Sequence, residues 1–293
     1  MIKYAEVNWQ LNRYCEHQCY YCPGKWRGGD LVHPIEMYLA VVEKLQSTRY
    51  LHAEQIKWTI SGGEPLHFPN LNLLLRQIKT ANSYVRLDTA GGDSWFNIME
   101  IAPYVDYFKI THHYWQNISV LDFIIDMCQE QGKKLNLIVP LEPGKILESK
   151  EKINQLIARG LTVSEQQLFN EDGSLYRDYT KQDINLMYGR PADWEPPPPE
   201  LVVIVDTPVS TPDPNWVNPT VSNGNPSYTG KLCYAGVDYV HIDANGWAGG
   251  SDCRSRIMGN VFELDWSAPS DAFACPMMYC QSKNDQSRIR MNQ

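Results

Sequence analysis

The chain has 293 residues, of which 43% are hydrophobic and 20% are charged, and its formal net charge is -8. This length allows one large α/β domain with an extension, or two modest domains. The acidic balance offers no basic face for a phosphate backbone, so we expect no nucleic-acid partner. No segment approaches the ~20 apolar residues of a membrane span, and the first residues do not resemble a signal peptide. We therefore expect a cytoplasmic protein without a membrane partner.

Six apolar, β-rich segments predict strands, and helix-like segments with apolar residues at three- and four-residue spacing follow them. Strands that alternate with helices imply right-handed crossovers and a parallel sheet. Six units are too few for a closed eight-fold barrel, so we expect an α/β fold, either an open, partial (β/α)6 TIM-like barrel or a doubly wound sheet. The predicted strands are Tyr4 to Leu11, Gln55 to Ser61, Tyr84 to Thr89, Val105 to Thr111, Lys134 to Leu141 and Leu161 to Phe169. The predicted helices are Pro34 to Gln46, Asn70 to Thr80, Asp93 to Ala102, Ser119 to Gln131, Ser149 to Arg159 and Thr180 to Tyr188.

The pattern changes after Pro191 and the proline run Pro196 to Pro199, which predict a domain boundary. Beyond it, short strands at Leu201 to Val205 and Tyr239 to Ile242 lie among Pro-, Asn- and Gly-rich loops. We predict a barrel at residues 1–190, a Pro-rich linker and bridging segment at 191–230, and a small, loop-rich α+β domain at 231–293. A region of this kind commonly needs a metal for stability.

Three cysteines, Cys15, Cys19 and Cys22, directly follow the first predicted strand. In parallel barrels, loops at the C-terminal ends of strands form the active site. A [4Fe-4S] cluster ordinarily takes four thiolates, so three would leave one iron able to bind something else. The alternative is a structural zinc site completed by His17 or a remote residue, although zinc sites more often pair cysteines two by two.

The Cys-x3-Cys-x2-Cys spacing, with Tyr21 directly before the last cysteine, and the Gly62-Gly63-Glu64-Pro65 turn after the second strand resemble the signatures of the radical S-adenosylmethionine (SAM) superfamily. The resemblance implies a [4Fe-4S] cluster on the three cysteines, with the amino and carboxylate groups of SAM on its open iron. It also implies that the Gly-Gly-Glu-Pro turn lies close to the methionine part of SAM. One electron would then cleave SAM and release a 5′-deoxyadenosyl radical.

Two later segments are more loosely similar to this family. Thr89 ends the third strand, where relatives often place polar residues near the ribose or carboxylate of SAM. His112 and His113 follow the fourth strand. One of these histidines could face the cavity, although a packed or hydrogen-bonded histidine is the more common case.

Four further cysteines, Cys233, Cys253, Cys275 and Cys280, lie in the C-terminal region. Their number suits either zinc or an iron-sulfur cluster. Their order, with a hairpin-like turn at Ile242 to Gly246, resembles SPASM or twitch extensions, which implies one auxiliary [4Fe-4S] cluster. Because four thiolates would saturate it, we expect electron relay or structural support. The eighth cysteine, Cys128, is expected to be a buried small hydrophobe in a helix.

The sequence thus indicates a radical SAM oxidoreductase or transferase that abstracts a hydrogen atom from its substrate. The resemblance implies a peptide or small-molecule substrate, and an external one-electron reductant such as flavodoxin or ferredoxin. Because the first strand begins within the first few residues, we expect no leader-binding domain before the barrel. The rival interpretations are a two-cluster electron carrier without SAM chemistry and a zinc-stabilised binding protein.

Overall fold

The computed structural model describes most of the first 194 residues and part of the C-terminal region. The described residues are 4–17, 19–22, 33–47, 54–91, 95–116, 118–170, 175–194, 232–233, 236, 239–250, 256–269 and 273–274. The predicted strand at Leu201 to Val205 and the predicted ligands Cys253, Cys275 and Cys280 lie outside them.

Six strands lie side by side in chain order and are all parallel. The six predicted strands and six predicted helices are confirmed, with ends that shift by a few residues. Because the first five helices each connect two neighbouring parallel strands, the strands' C-terminal ends meet at one edge of the sheet. The strands are β1 (Tyr4–Gln10), β2 (Gln55–Ser61), β3 (Ser83–Thr89), β4 (Tyr107–Thr111), β5 (Lys134–Pro140) and β6 (Val163–Gln166). The helices are α1 (Ile35–Ser47), α2 (Leu71–Ile78), α3 (Trp95–Ile101), α4 (Ile118–Glu130), α5 (Ile146–Ala158) and α6 (Lys181–Met187).

The two faces of this sheet differ in polarity. Along β1 to β4, buried apolar residues alternate with half-buried residues that are mostly polar, as expected from the two-residue period of a strand. Strand register aligns Trp9, Ile60, Leu87 and Phe108 on the apolar face. These side chains share one core with buried residues of α1, α2, α4 and α5. The opposite face carries charged and polar side chains, among them Glu6, Asn8, Lys57, Thr59, Arg86, Asp88 and Lys109.

Helix α1 packs against the end of β1. The loop that carries Cys15, Cys19 and Cys22, called the cysteine loop below, begins there. The Tyr38 ring stacks on Trp9, with 5.5 Å between ring centroids. Its hydroxyl donates a hydrogen bond to the carbonyl of Leu11. Both rings are fully buried. Their packing therefore fixes the position of the backbone at the start of the cysteine loop.

The C-terminal strands extend the same sheet on the other side of β1. Strand β8 (Tyr239–Ile242) pairs in parallel with β1, followed by β9 (Trp247–Gly249) and β10 (Ile257–Asn260), both antiparallel to their neighbours. A tight turn joins β8 to β9, with Gly246 at φ +84°, which confirms the predicted hairpin. Strand β1 therefore has a hydrogen-bonded neighbour on both sides. A separate short pair joins β7 (Leu232–Cys233) and β11 (Phe273–Ala274).

No helix in the described part of the chain has the length and apolar character that a membrane crossing requires.

Two leucines of different exposure test the core. Leu74, on the buried stripe of α2, is 0% exposed, whereas Leu264 is 97% exposed. Leu74→Ala removes packed methyl groups and leaves a cavity, so we expect the free energy of unfolding to fall by about 2–5 kcal/mol. Leu264→Ala is the matched control and should change it by less than about 0.5 kcal/mol. Equilibrium denaturation in urea measures both values, and equal effects would contradict the described core.

Candidate functional site

The cysteine loop lies at the C-terminal end of β1. Cys15, Cys19 and Cys22 are thiols, not disulfides, and their side chains are partly exposed. The Cys22 amide donates to the Cys19 carbonyl over 2.9 Å, which closes a turn between these two residues. The loop thus brings three thiols to the edge of the sheet where active sites of parallel folds form.

The Gly-Gly turn after β2 packs directly against the cysteine loop. The Gly63 amide donates to the Asn12 carbonyl at 2.9 Å, and the Glu64 amide donates to the Tyr14 carbonyl at 2.6 Å. A Cβ on Gly63 would lie 2.1 Å from the Tyr14 oxygen, and one on Gly62 would lie 2.8 Å from Asn12 Oδ1. Real Cβ atoms essentially never approach so closely, so both positions require glycine because two backbones meet there.

Glu64 connects the turn after β2 to the end of β3. Its carboxylate accepts hydrogen bonds from the Thr89 hydroxyl at 2.5 Å, the Ala90 amide at 2.8 Å and the Leu66 amide at 3.0 Å. Glu64 is 1% exposed, and burial raises the pKa of its carboxyl although these hydrogen bonds favour the charged form. The carboxylate therefore faces inward and fixes two loops relative to each other.

Thr89 and Pro65 have supporting positions in the same junction. The Thr89 hydroxyl donates its hydrogen to Glu64 and accepts one from the Gly91 amide at 3.0 Å. Pro65 is buried and begins a short 3-10 helix, Pro65–His67. The described contacts give these residues a role in shaping the loops. Contact with SAM stays a prediction for Gly62, Gly63, Glu64, Pro65 and Thr89.

His113 is the histidine that reaches the cysteine loop. Its Nε2 lies 3.7 Å from Cys19 Sγ, and its Nδ1 lies 2.9 Å from the Tyr21 hydroxyl and 3.1 Å from Glu142 Oε1. Burial opposes charge on the ring, but hydrogen bonds and negative charge from Cys19 and Glu142 raise the pKa of His113 to about 9. In return, burial disfavours the Cys19 thiolate, but the hydrogen bond and charge of His113 lower the pKa of Cys19.

His112 is packed away from this group and is the ordinary buried histidine. It is 3% exposed, and burial, together with the positive charges of Lys152 and His113, lowers the pKa of His112 to about 4. The two adjacent histidines thus differ completely in their surroundings. Of the pair, only His113 belongs to the candidate site.

Aromatic rings surround the cysteine loop. Trp115 stacks on His113, with ring centroids 5.1 Å apart and an interplanar angle of 18°, and it is 50% exposed. Tyr21 makes a tilted contact with the same imidazole. Burial, followed by the charge of Cys19, raises the pKa of Tyr21, so its phenol stays protonated. The site therefore has a fixed hydroxyl and an apolar rim beside its thiols.

Asn12 and Glu142 are two of the site residues that were not predicted from the sequence. Asn12 donates from its side chain to the Glu64 carbonyl at 3.0 Å and accepts from the Gly63 amide at 3.1 Å. Glu142 contacts His113 through its Oε1, which lies 3.1 Å from the ring atom Nδ1. Both directly follow strands of the parallel sheet, and polar residues at the C-terminal ends of such strands are the signal that could have identified them.

Two of the remaining cysteines, Cys128 and Cys233, lie among the described residues. Cys128 lies in α4 and is 2% exposed, which confirms the prediction of a packed thiol. Burial raises the pKa of Cys128 to about 11. Cys233 ends β7, and its backbone pairs with Phe273, two residues before Cys275 in the sequence.

No protein-family model matches the chain, and no curated protein matches its sequence. Solved structures match it in fold. Streptococcus suis SuiB aligns with a TM-score of 0.52 at 16% sequence identity, over 89% of this chain and 64% of SuiB. Native anSMEcpe with bound AdoMet and the Cp18Cys peptide aligns with a TM-score of 0.54 at 10% identity, over 89% of this chain and 78% of anSMEcpe. Native anSMEcpe with bound AdoMet aligns with a TM-score of 0.53 at 9% identity, over 88% of this chain and 78% of anSMEcpe.

At these identities the likeness establishes the fold alone. The fold is mixed α/β with a parallel-strand sheet, and it is similar to the folds of SuiB and anSMEcpe. The chain spans 64% of the length of SuiB.

Glu64→Gln tests the junction between the loops. An amide offers one acceptor oxygen where the carboxylate offers two, so one of the three donors loses its partner. We expect the free energy of unfolding to fall by about 1–3 kcal/mol. Glu130→Gln, at the exposed end of α4, is the matched control and should change it by less than about 0.5 kcal/mol. Denaturant titration at pH 7 measures both, and equal effects would contradict the structural role of Glu64.

His112 predicts a pH dependence of stability. Because its pKa is lowered from 6.5 to about 4 in the folded protein, the unfolded chain binds this proton first as the pH falls. The contribution of His112 to stability is therefore present above pH 6.5 and is lost toward pH 4, on the order of 3 kcal/mol. His112→Asn lacks this contribution, so the difference in unfolding free energy between wild type and variant should change over that range. If plots of unfolding free energy against pH ran parallel for the wild type and the variant, they would contradict a buried, neutral His112.

Proposed function

We propose that this chain is a radical SAM enzyme, an oxidoreductase or transferase that abstracts a hydrogen atom from its substrate. The observation that carries the proposal is the contact between the cysteine loop after β1 and the Gly-Gly-Glu-Pro turn after β2. Both segments were singled out from sequence as a cluster site and a SAM site, and the Gly63 to Asn12 hydrogen bond joins them at 2.9 Å. A cluster and a cofactor bound by these two segments would touch.

The three cysteines have the chemistry that an iron-sulfur cluster requires. Thiolates are its usual ligands, and the lowered pKa of Cys19 favours this form. Within the described residues, no three His, Cys, Asp or Glu side chains are grouped as ligands of one metal ion. The thiolates of a four-iron cluster bind different irons and need not converge on one point. We assign Cys15, Cys19 and Cys22 as the ligands of the first [4Fe-4S] cluster.

When bound by these residues, a cluster with SAM on its open iron would supply one-electron cleavage of SAM and so the proposed 5′-deoxyadenosyl radical. The residues of the chain would bind the cluster and SAM and orient them relative to each other. The backbone of Gly62 and Gly63 would face the methionine part of SAM, while Glu64 and Thr89 hold that turn against the end of β3. Tyr21 and Trp115 would exclude water beside the cluster, which suits a reactive intermediate.

We further propose that the sheet is the wall of an open, partial (β/α)6 barrel. A doubly wound parallel sheet is covered by helices on both faces and is apolar on both. The polar, half-buried face across β1 to β4 supports an open chamber instead. Arg86 forms a two-pronged ion pair with Asp88, and Lys109 lies 3.7 Å from the same carboxylate. This face would contact a polar substrate.

The C-terminal region is proposed as a twitch-type domain with one auxiliary [4Fe-4S] cluster on Cys233, Cys253, Cys275 and Cys280. The pairing of Cys233 with Phe273 supports it, because Cys275 follows two residues later. Strand β8 of this region lies beside β1, which would suit electron relay to or from the first cluster. The proposed divisions remain residues 1–190, 191–230 and 231–293.

A peptide is the proposed substrate. The structure of anSMEcpe, which shares this fold, contains AdoMet and a peptide together. A small molecule is the alternative, and an external one-electron reductant such as flavodoxin or ferredoxin would supply the electron.

Anaerobic reconstitution with iron and sulfide tests the proposal. The wild type should hold about eight irons, four in each of two clusters, and form 5′-deoxyadenosine when SAM and dithionite are present. The triple variant Cys15→Ala, Cys19→Ala, Cys22→Ala should keep about four irons and form none. Cys128→Ala is the matched control and should behave as wild type.

Three outcomes contradict parts of this account. Zinc without iron would indicate a zinc-stabilised binding protein. Iron without 5′-deoxyadenosine would indicate an electron carrier. About four irons in the wild type would remove the auxiliary cluster and leave the first assignment intact.

A further inference from the structure

His113 is held between a carboxylate and a cysteine of the candidate cluster site. Its side chain comes from the end of β4, Glu142 from the end of β5 and Cys19 from the loop after β1. His113 and Glu142 are 3% and 5% exposed, respectively. Water therefore competes little for their hydrogen bonds, and contacts among these groups are stronger than they would be at the surface.

The direction of each hydrogen bond follows from what its partners can do. An ionised carboxylate only accepts, so His113 Nδ1 donates to Glu142 Oε1 at 3.1 Å, and the Tyr21 hydroxyl, 2.9 Å from the same nitrogen, accepts a share of that hydrogen. A thiolate bound to iron likewise accepts, so the opposite ring nitrogen, Nε2, would donate toward Cys19 Sγ at 3.7 Å. A ring that donates from both nitrogens carries both hydrogens and is an imidazolium cation, which the acceptors on its two sides favour. Glu142 thus fixes the ring in the orientation that aims the Nε2–H at the sulfur.

The backbone around His113 is fixed as well. The His113 amide donates to Gln116 Oε1 at 2.7 Å, and the Gln116 side chain donates to the Ala90 carbonyl at 3.1 Å. Trp115 stacks on the imidazole. These contacts restrain the ring on several sides, which is more than simple packing of a buried histidine would need.

We propose that His113 is a positioning residue for Cys19, held by Glu142 so that Nε2–H donates a hydrogen bond to the sulfur and raises the reduction potential of the first cluster. The inference rests on the proposed function, since it needs a cluster at Cys19. Reduction adds negative charge to the cluster, and a hydrogen bond to a ligating sulfur stabilises that added charge.

The experiment measures the midpoint potential of the reconstituted full-length protein by redox titration with EPR detection, following the signal that responds to SAM. His113→Phe keeps an aromatic ring against Trp115 but cannot donate. At a fixed potential, the ratio of oxidised to reduced cluster should rise about tenfold, a shift of ~59 mV to more negative potential for one electron. His112→Asn is the control on the neighbouring residue and should leave the potential unchanged.

Two conservative variants separate hydrogen bonding from structural support. His113→Gln places a neutral amide donor near the position of Nε2 and restores the hydrogen bond without the positive charge, so it should recover part of the shift and leave the ratio about threefold from the wild type, ~28 mV by the same one-electron scale. Glu142→Asp keeps the negative charge but shortens the side chain by one methylene, which weakens its hold on the imidazole, so it should shift the potential in the same direction as His113→Phe, by less. If His113→Phe takes up no iron, these two variants carry the test.

The outcomes distinguish the two proposals. An iron-loaded His113→Phe protein with an unchanged potential would overturn the role of His113 and leave the proposed function standing. An equal shift in His112→Asn would also overturn it, because the effect would then be general. A wild-type protein that binds no iron at Cys15, Cys19 and Cys22 would instead overturn the proposed function.

Discussion

The backbone contact between the cysteine loop and the glycine turn is the constraint on which the rest of the site depends. Two peptide segments meet so closely at Gly63 that a side chain there would overlap the Tyr14 carbonyl. The resulting hydrogen bonds to Asn12 and Tyr14 satisfy backbone groups that would otherwise be left in a half-buried loop. The relative position of the thiols and the glycine turn is therefore fixed by contacts within the chain.

From this junction a chain of hydrogen bonds follows the edge of the sheet. Glu64 joins the turn after β2 to Thr89 and Ala90 after β3, and Gln116 joins Ala90 to His113 after β4. His113 then links Glu142 after β5 back to Cys19 after β1. Loops from five neighbouring strands are thus connected at the one edge that a parallel sheet makes available. Preorganisation of this kind is what a site that must bind two groups side by side requires.

Local sequence patterns predicted the strands, helices and cysteine loop because these depend on neighbours in the chain. The reason for the glycines differs in part from the prediction. Close approach was expected to SAM, whereas the described contact of Gly63 is with Tyr14, a tertiary partner that no local pattern reveals. Adjacent histidines likewise look alike in sequence, and only the fold separates the packed His112 from His113. The pairing of Tyr239–Ile242 with β1 also joins distant parts of the chain, beyond what periodicity can predict.

The most direct test of the central claim is the EPR spectrum of the dithionite-reduced, iron-loaded protein, recorded before and after SAM is added. The claim is that three cysteines leave one iron open and that the adjoining glycine turn brings SAM to it. SAM should then change the g-values of the reduced cluster in the wild type, and this response should be absent when Cys15, Cys19 and Cys22 are replaced by Ala. Identical spectra with and without SAM in an iron-loaded wild-type protein would contradict the account.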